Sequence, residues 1–363
     1  MYATHTRKLW PLLTAGILAA LSLSGCQSSL SPDGQTAVTL SEVAHSIFYA
    51  PQYAAIELGY FEEEGIDLTL VNAGGADKVM TSLISGDAQI GFMGSEASIY
   101  VYQEGSDDPA VNFAQLTQRA GNFLVGRQAE EDFKWQDLRG KTVLGGRAGG
   151  MPQMVFEYIL KKNGLDPVND LTIDQSISFG LTAAAFTSSA ADYTIEFEPF
   201  ATTLEMEGSG AVVASLGTES GYVPYTAYSA RKSYLKQHPE VIQSFTNAIQ
   251  KGLDYVNSHS SEEIAKVISP HFKETPVDKL ALIVDRYKSQ DTWKEDTVFE
   301  ENSFTLLKRI LEEAGELKAE VPYNELVTMD FSKKAAKILN NTLDKYSLFI
   351  YNSPNYHCIT LPC

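Results

Sequence analysis

The chain has 363 residues and carries 28 Lys and Arg against 46 Asp and Glu, for a formal net charge of −18. This excess of negative charge makes nucleic acid a poor partner, because a phosphate backbone is bound by clustered cations. With 44% hydrophobic and 10% aromatic residues the chain can bury a large core, and its length exceeds what one core usually organises. We therefore expect two lobes.

The N-terminus has the pattern of an export signal. Arg7 and Lys8 precede an uncharged, mostly apolar run that reaches Leu23. This run is shorter than the roughly 20 residues of a membrane-spanning helix, and a polar stretch without a basic flank follows it. Residues 1–25 are therefore interpreted as a removable signal peptide.

The end of this signal, residues 23–26 (LSGC), is similar to a bacterial lipobox, whose cysteine becomes lipidated. Cys26 is accordingly predicted to carry an acyl chain that holds the mature protein at a membrane face. Residues 26–36 would act as a flexible linker. A plain signal peptide with an unmodified Cys26 is the alternative interpretation.

From residue 37 the patterns predict strands and helices that alternate, which is typical of βαβ units in an α/β fold. The predicted strands cover 38–43, 66–71, 88–93, 111–117, 173–179, 193–197 and 211–216, and residues 135–146 begin a second set of units. Predicted helices cover 51–57, 78–84, 152–162, 239–258 and 304–313, and another begins at 94–96. Residues 122–126 are extended and apolar, and they suit a segment that crosses between lobes. After residue 232 the predicted structure is mainly helical.

Three stretches carry a family resemblance: 47–68 (IFYAPQYAAIELGYFEEEGIDL), 86–91 (GDAQIG) and 137–143 (DLRGKTV). In this order they resemble the substrate-binding proteins of ABC importers for nitrate, sulfonates, taurine and thiamine-pyrimidine precursors. The resemblance implies a periplasmic-binding-protein-like fold of type 2. Two α/β lobes with mostly parallel sheets flanked by helices would be joined by two crossing segments that serve as a hinge.

The resemblance also implies a division of the chain. The first lobe would consist of residues 37–120 and of the helical return at 221–345, and the second lobe of 121–220. The tail at 346–363 has no interpretable pattern. It contains Cys358 and Cys363, which could form a disulfide in an oxidising compartment.

The function implied by the resemblance is capture of a small molecule in the cleft between the lobes, outside the cytoplasm. The partners would be the permease of an ABC importer and, through it, the ATPase. The protein is expected to be a monomer that is anchored to the membrane only by the lipid at Cys26, on the outer face of the cytoplasmic membrane or in the periplasm. No catalytic residue, metal or other cofactor is expected.

The candidate ligand-binding residues lie in loops at the carboxyl ends of predicted strands, where α/β lobes bind ligands. The loop after the first strand offers His45, Phe48, Tyr49 and Gln52. For His45 a surface imidazole, and for Phe48 core packing, are equally good interpretations. The other candidates are Ser95, Glu96, Asn122, Gly149, Gly150, Met151, Glu198 and Tyr225. Glu96 could instead only favour the helix dipole, and the glycines could form a simple tight turn.

Two carboxylates, Glu96 and Glu198, beside several tyrosines suggest the ligand class. Carboxylates accept hydrogen bonds from amino groups and repel anions, and tyrosine rings stack on flat rings. The sequence therefore favours an amino-bearing aromatic heterocycle, such as a thiamine-pyrimidine precursor. A sulfonate, taurine or nitrate is the alternative ligand.

A thiamine-pyrimidine synthase of the same fold is the alternative from another class. Such enzymes consume a histidine of their own and carry a cysteine cluster, whereas residues 94–97 contain no histidine here and no cysteine occurs between Cys26 and Cys358. His238, His259 and His271 are each isolated and have no metal-ligand spacing. A surface adhesin or a sensor with this fold also remains compatible with the sequence.

Overall fold

The computed structural model describes residues 34–177 and 180–337. The predictions for the signal peptide, Cys26, Cys358, Cys363 and the tail at 346–363 fall outside the described residues and stay predictions. No helix in the described part of the chain is both long enough and apolar enough to span a membrane.

The described residues form ten strands. They are β1 (Thr36–Glu42), β2 (Ile66–Asn72), β3 (Ile90–Gly94), β4 (Ala110–Thr117), β5 (Asn122–Gly126), β6 (Thr142–Leu144), β7 (Thr172–Asp174), β8 (Tyr193–Phe197), β9 (Ala211–Ser215) and β10 (Thr226–Arg231). One sheet has the order β2-β1-β3-β10-β4 and the other the order β7-β6-β8-β5-β9. The chain thus leaves the first sheet after β4 and returns to it at β10.

Helices cover both sheets and dominate the last third of the described chain. They are α1 (Ala50–Glu57), α2 (Tyr60–Glu63), α3 (Ala76–Ser85), α4 (Glu96–Gln103), α5 (Met151–Lys162), α6 (Thr182–Ser188), α7 (Phe200–Met206), α8 (Leu216–Ser220), α9 (Lys232–Gln237), α10 (Pro239–Ser258), α11 (Ser261–Ile268), α12 (Val277–Ser289), α13 (Glu301–Glu313) and α14 (Tyr323–Leu326). Short 3-10 helices occupy Ile47–Tyr49, Trp135–Leu138 and Ser269–His271.

The expectation of mostly parallel sheets holds with one exception in each sheet: four of the five strands run in the same direction, and β10 in the first sheet and β5 in the second run against them. In each sheet two strand pairings are parallel and two are antiparallel. The cause is the crossing between lobes: β5 enters the second sheet, and β10 re-enters the first, against the direction of their neighbours.

Two further differences concern these same strands. Residues 122–126 form β5, which lies between β8 and β9 in the second sheet, and do not themselves form the crossing segment. β10 was not predicted at all, since five of its six residues are buried and the strand has no alternating pattern. The crossings are the short connections 118–121 and 216–225.

The core contains a column of aromatic rings behind the first sheet. Tyr228 on β10 stacks on Phe92 of β3 with 4.3 Å between the ring centroids, and Phe245 of α10 packs edge-on against Tyr228 at 5.1 Å. All three rings are fully buried. This packing fixes β3, and hence the polar residues that follow it.

Candidate functional site

Glu96 is the first residue of α4 and is separated from β3 by one residue, Ser95. Its side chain is 4% exposed, and its Oε2 has no hydrogen-bond partner among the described residues. The carboxylate folds back over Gly94, where any side chain would collide with it. A glycine at 94 is therefore what allows this carboxylate to point into the space between the lobes.

Burial governs the protonation of Glu96. Loss of water raises the pKa of this carboxyl to about 7, although its own backbone N–H and the nearby Arg147 guanidinium pull in the opposite direction. Burial also raises the pKa of Tyr225, and the charge of Glu96 raises it further. Glu96 thus lies within electrostatic reach of Tyr225 and can change its charge near neutral pH.

A cavity of about 470 Å³ opens beside Glu96. Its walls come from three parts of the chain: α3 and α4 of the first lobe, residues 147–149 of the second lobe, and the segment after α13. Side chains around it include Asp77, Glu96, Tyr100, Arg147, Glu316 and Lys318. The volume is within the range of small-molecule sites.

Asn122 and Tyr225 lie where the two crossings meet the sheets. Asn122 begins β5 and is 0% exposed, yet neither its Oδ1 nor its Nδ2 has a partner among the described residues. Tyr225 precedes β10, is 3% exposed, and its hydroxyl also has no such partner. Each unpaired buried polar group costs about 1–3 kcal/mol, and a ligand that paired these groups would remove that cost. Neither residue lines the cavity beside Glu96.

Phe48 and Tyr49 supply aromatic surface near these groups. The ring of Phe48 packs edge-on against Tyr225 at 5.7 Å and against Phe197 at 5.8 Å, and Tyr49 packs edge-on against Phe92 at 4.5 Å. Phe48 and Tyr49 are 1% and 4% exposed. Phe48 therefore contributes to the core of the structure as well as bordering the crossings.

His45 and Gln52 are engaged by a buried carboxylate, Glu42, at the end of β1. The Nε2 of Gln52 donates to Glu42 Oε2 at 2.7 Å, and the Tyr53 hydroxyl donates to the same oxygen at 2.9 Å. His45 Nδ1 lies 2.9 Å from Glu42 Oε1, and this hydrogen bond raises the His45 pKa. Both predicted ligand residues stay predictions, but their polar atoms have protein partners here.

Glu198 is likewise engaged within the protein. Its Oε1 accepts from Arg286 at 2.5 Å and from the Thr202 hydroxyl at 3.0 Å, and its Oε2 accepts from Thr202 N at 2.9 Å. The residue is 1% exposed. Its predicted ligand contact remains a prediction, while Glu96 is the carboxylate that has an oxygen without a protein partner.

The remaining predicted residues hold the loops in place. The Ser95 hydroxyl donates to the Pro224 carbonyl and thereby ties the start of α4 to the return crossing. Gly149 has a φ of 73°, donates through its N–H to Gln153 Oε1 at 3.0 Å, and accepts from the Tyr100 hydroxyl at 2.9 Å. Gly150 and Met151 begin α5, and Met151 is 2% exposed.

Sequence reasoning missed several contributors. Tyr100 lies one helical turn after Glu96 and could have been found from the helix period. Glu316, Lys318 and Arg286 gave no local signal, because they come from segments more than 80 residues beyond the loops they meet. Among the described residues, no group of three His, Cys, Asp or Glu side chains is placed to hold a metal ion.

Comparison with known proteins agrees with this architecture. The profile of the family described as NMT1/THI5 like matches residues 47–263. The chain is 44% identical over 318 residues to the putative binding protein YtlA of Bacillus subtilis, a match that covers 88% of this chain and 94% of YtlA. The chain belongs to the NMT1/THI5-like family. The family resemblance predicted from the sequence is thereby confirmed.

Two more similarities concern the fold of this NMT1/THI5-like chain and a more distant relative. A ligand-binding component of an ABC-type import system from Staphylococcus aureus superposes with a TM-score of 0.68 at 17% identity, covering 83% of this chain and 99% of that one. The predicted two-lobed α/β fold is confirmed by this likeness. The yeast pyrimidine phosphate synthase THI11 is 22% identical over 58% of this chain and 63% of its own length.

Proposed function

We propose that the chain is the extracytoplasmic solute-binding protein of an ABC importer and that it captures one small molecule between its two lobes. The observation that carries this proposal is the set of buried polar atoms without protein partners on Glu96, Asn122 and Tyr225. Glu96 belongs to the first lobe, Asn122 begins β5 directly after the outgoing crossing, and Tyr225 ends the return crossing. A ligand that pairs them would favour the closed arrangement of the lobes.

The chemistry of these three residues supports an amino-bearing aromatic heterocycle as the ligand. The Glu96 carboxylate accepts from an amino group, the Asn122 amide offers one donor and one acceptor, and the Tyr225 hydroxyl offers either. An aminopyrimidine, such as a thiamine precursor, has the complementary N–H groups and ring nitrogens. A sulfonate or nitrate would bring an anion against Glu96, which is unfavourable where both groups are desolvated.

The same proposal includes the partners and the location. An import complex would read the closed state of this protein through its permease, and a lipid on Cys26 would keep the monomeric binding protein near that permease. An enzyme of the synthase type is not proposed, since the sequence has no cysteine between Cys26 and Cys358 to form the cysteine cluster of such enzymes.

Titration calorimetry with an aminopyrimidine, taurine, an alkanesulfonate and nitrate tests the ligand class. We expect the aminopyrimidine to bind, and the Glu96→Gln and Tyr225→Phe variants to weaken its binding at least about tenfold. Glu130→Gln and Tyr193→Phe are the matched controls, because Tyr193 and Glu130 form a hydrogen bond of 2.9 Å on the second lobe, outside the candidate site. Tight sulfonate or nitrate binding that survives Glu96→Gln would refute the proposed ligand class.

A further inference from the structure

Residues 315–319 form the outer wall of the cavity beside Glu96. They follow α13, and they bring Glu316 and Lys318 to the cavity from a part of the chain beyond the family match at 47–263. A side-chain carbon at Gly149 would lie 3.6 Å from Glu316 Oε1, so the Glu316 carboxylate lies directly over the turn of the second lobe. This wall therefore lies between α4 of the first lobe and the turn at 147–149 of the second.

One end of this wall is fixed to α13, and α13 lies against the second lobe. The N–H groups of Glu316 and Leu317 donate to the Leu311 carbonyl at 2.8 and 3.3 Å, so the turn continues the helix end. The Lys161 ammonium of α5 donates to the Glu313 carbonyl at 2.5 Å, and the Arg309 guanidinium lies 5.8 Å from the ring centroid of Tyr158 on α5.

A single side chain of the first lobe, Gln103, makes three hydrogen bonds to the backbone of the wall itself, and the chain beyond the wall joins the first lobe at α14, where the Asn112 amide donates to the Leu326 carbonyl at 3.2 Å. Gln103, the last residue of α4, donates through Nε2 to the Glu316 carbonyl at 3.2 Å. Its Oε1 accepts from the N–H groups of Lys318 at 2.5 Å and Ala319 at 3.2 Å. Lys318 and Glu104 add an ion pair at 3.2 Å, but both side chains are more than two-thirds exposed and contribute little.

We propose that residues 315–319 are a gate of the ligand cavity and that the Gln103 amide is its latch. The wall joins the lobes by a route separate from the two crossing segments. If residues 315–319 move away from α4 and the cavity, the three hydrogen bonds of Gln103 must give way, whereas α13 on one side and α14 on the other can stay in place. The latch is the weaker attachment, because it can be exchanged for water one bond at a time.

The gate can be tested without knowing the ligand, although its role in solute capture rests on the proposed function. Ala97 lines the cavity and is 7% exposed, so the rate at which a small thiol reagent modifies an Ala97→Cys protein reports access to the cavity. Peptide mass spectrometry separates this site from the native cysteines. We expect Gln103→Ala to raise that rate about 3- to 10-fold.

Two controls make the result specific. Gln136→Ala removes a glutamine of the second lobe whose Nε2 donates to the Asn163 carbonyl at 2.9 Å, and it should leave the Ala97→Cys rate unchanged. Val168 is 82% exposed in the native protein and serves as a reference position. The rate at which the reagent modifies a Val168→Cys protein should not change when Gln103→Ala is added. If the thiol reagent modified the Ala97→Cys site equally fast in the Gln103→Ala and Gln136→Ala backgrounds, the proposed gate would be overturned.

A second measurement connects the gate to the ligand. Stopped-flow fluorescence with the aminopyrimidine should show faster release from Gln103→Ala by a similar factor, with a comparable thermal unfolding midpoint in Gln103→Ala and Gln136→Ala. Faster labelling without binding of any tested solute would support the gate and count against the proposed function. Solute binding with unchanged rates of labelling and release would support the proposed function and count against the gate.

Discussion

Arg286 on α12 donates to Glu198 at 2.5 Å and, through its second terminal nitrogen, to Glu205 at 2.7 Å. Glu198 directly follows β8, and Glu205 lies on α7. One guanidinium of the C-terminal helices therefore binds two carboxylates of the second lobe. The Glu198 side chain has no solvent exposure, and that of Arg286 has 23%. This contact explains why a carboxylate in a predicted ligand loop can instead be structural.

Loss of Arg286 should destabilise the protein strongly. Arg286→Met leaves the Glu198 charge buried without its cation, and we expect the free energy of unfolding to fall by about 3–5 kcal/mol. Glu198→Gln removes the charge itself and should cost clearly less. Urea denaturation followed by circular dichroism measures both variants, and a loss below about 1 kcal/mol for Arg286→Met would show that the ion pair is unimportant.

Asn122→Leu should raise the stability of the ligand-free protein and abolish ligand binding. The buried Asn122 amide has no partner among the described residues, so an apolar side chain of similar size is expected to raise the stability of the ligand-free protein by about 1–3 kcal/mol. The same change removes hydrogen bonds to the ligand and should abolish detectable binding. Calorimetric melting without ligand and titration with ligand measure the two effects, and a lower melting midpoint of the ligand-free variant would contradict the prediction.

Ligand affinity should depend on pH through Glu96, whose pKa burial raises to about 7. An amino group binds the ionised carboxylate, so affinity should rise between about pH 6 and 8, by at most about tenfold per pH unit. Titration calorimetry across this range should show a flat profile for Glu96→Gln. Glu196→Gln is the control and should keep the pH dependence of the wild type. Burial also raises the pKa of Glu196 to about 7, but its carboxylate accepts hydrogen bonds from Thr182 and Thr194 of the protein itself.

The same shift predicts the opposite trend for the ligand-free protein. A carboxyl whose pKa is raised in the folded state contributes stability that is complete below its unfolded pKa of about 4.5 and is lost as the pH rises through about 7. For Glu96 the difference amounts to roughly 3 kcal/mol. Equal pH dependence of unfolding in the wild type and in Glu96→Gln would argue against this carboxyl as the titrating group.

Cys26→Ala should remove the membrane anchor. The residue closes the lipobox-like LSGC sequence, so the variant is expected to lose its acyl chain and to be released or left unprocessed. Fractionation of the host cells with mass spectrometry of the N-terminal peptide measures this. A processed variant that still carries an acyl chain in the membrane fraction would rule out Cys26 as the lipidated residue.

Many local elements and the family follow from the sequence alone. Period-two and helical patterns, with Gly59, Gly86 and Pro51 at the boundaries, predicted most of the strands and the helices α1, α3, α5 and α10 to within two residues, because these signals act over a few neighbouring positions. The motifs at 47–68, 86–91 and 137–143 indicated the family and, through it, the two lobes.

Which candidate residues have unpaired groups depends on contacts between distant parts of the chain. Glu96 and Glu198 look alike in the sequence, since each carboxylate lies near a helix start after a strand. Arg286 and Thr202 pair Glu198, whereas Glu96 keeps an oxygen without a protein partner. Whether a buried carboxylate meets a cation depends on packing between segments 88 residues apart, and no local pattern encodes that distance.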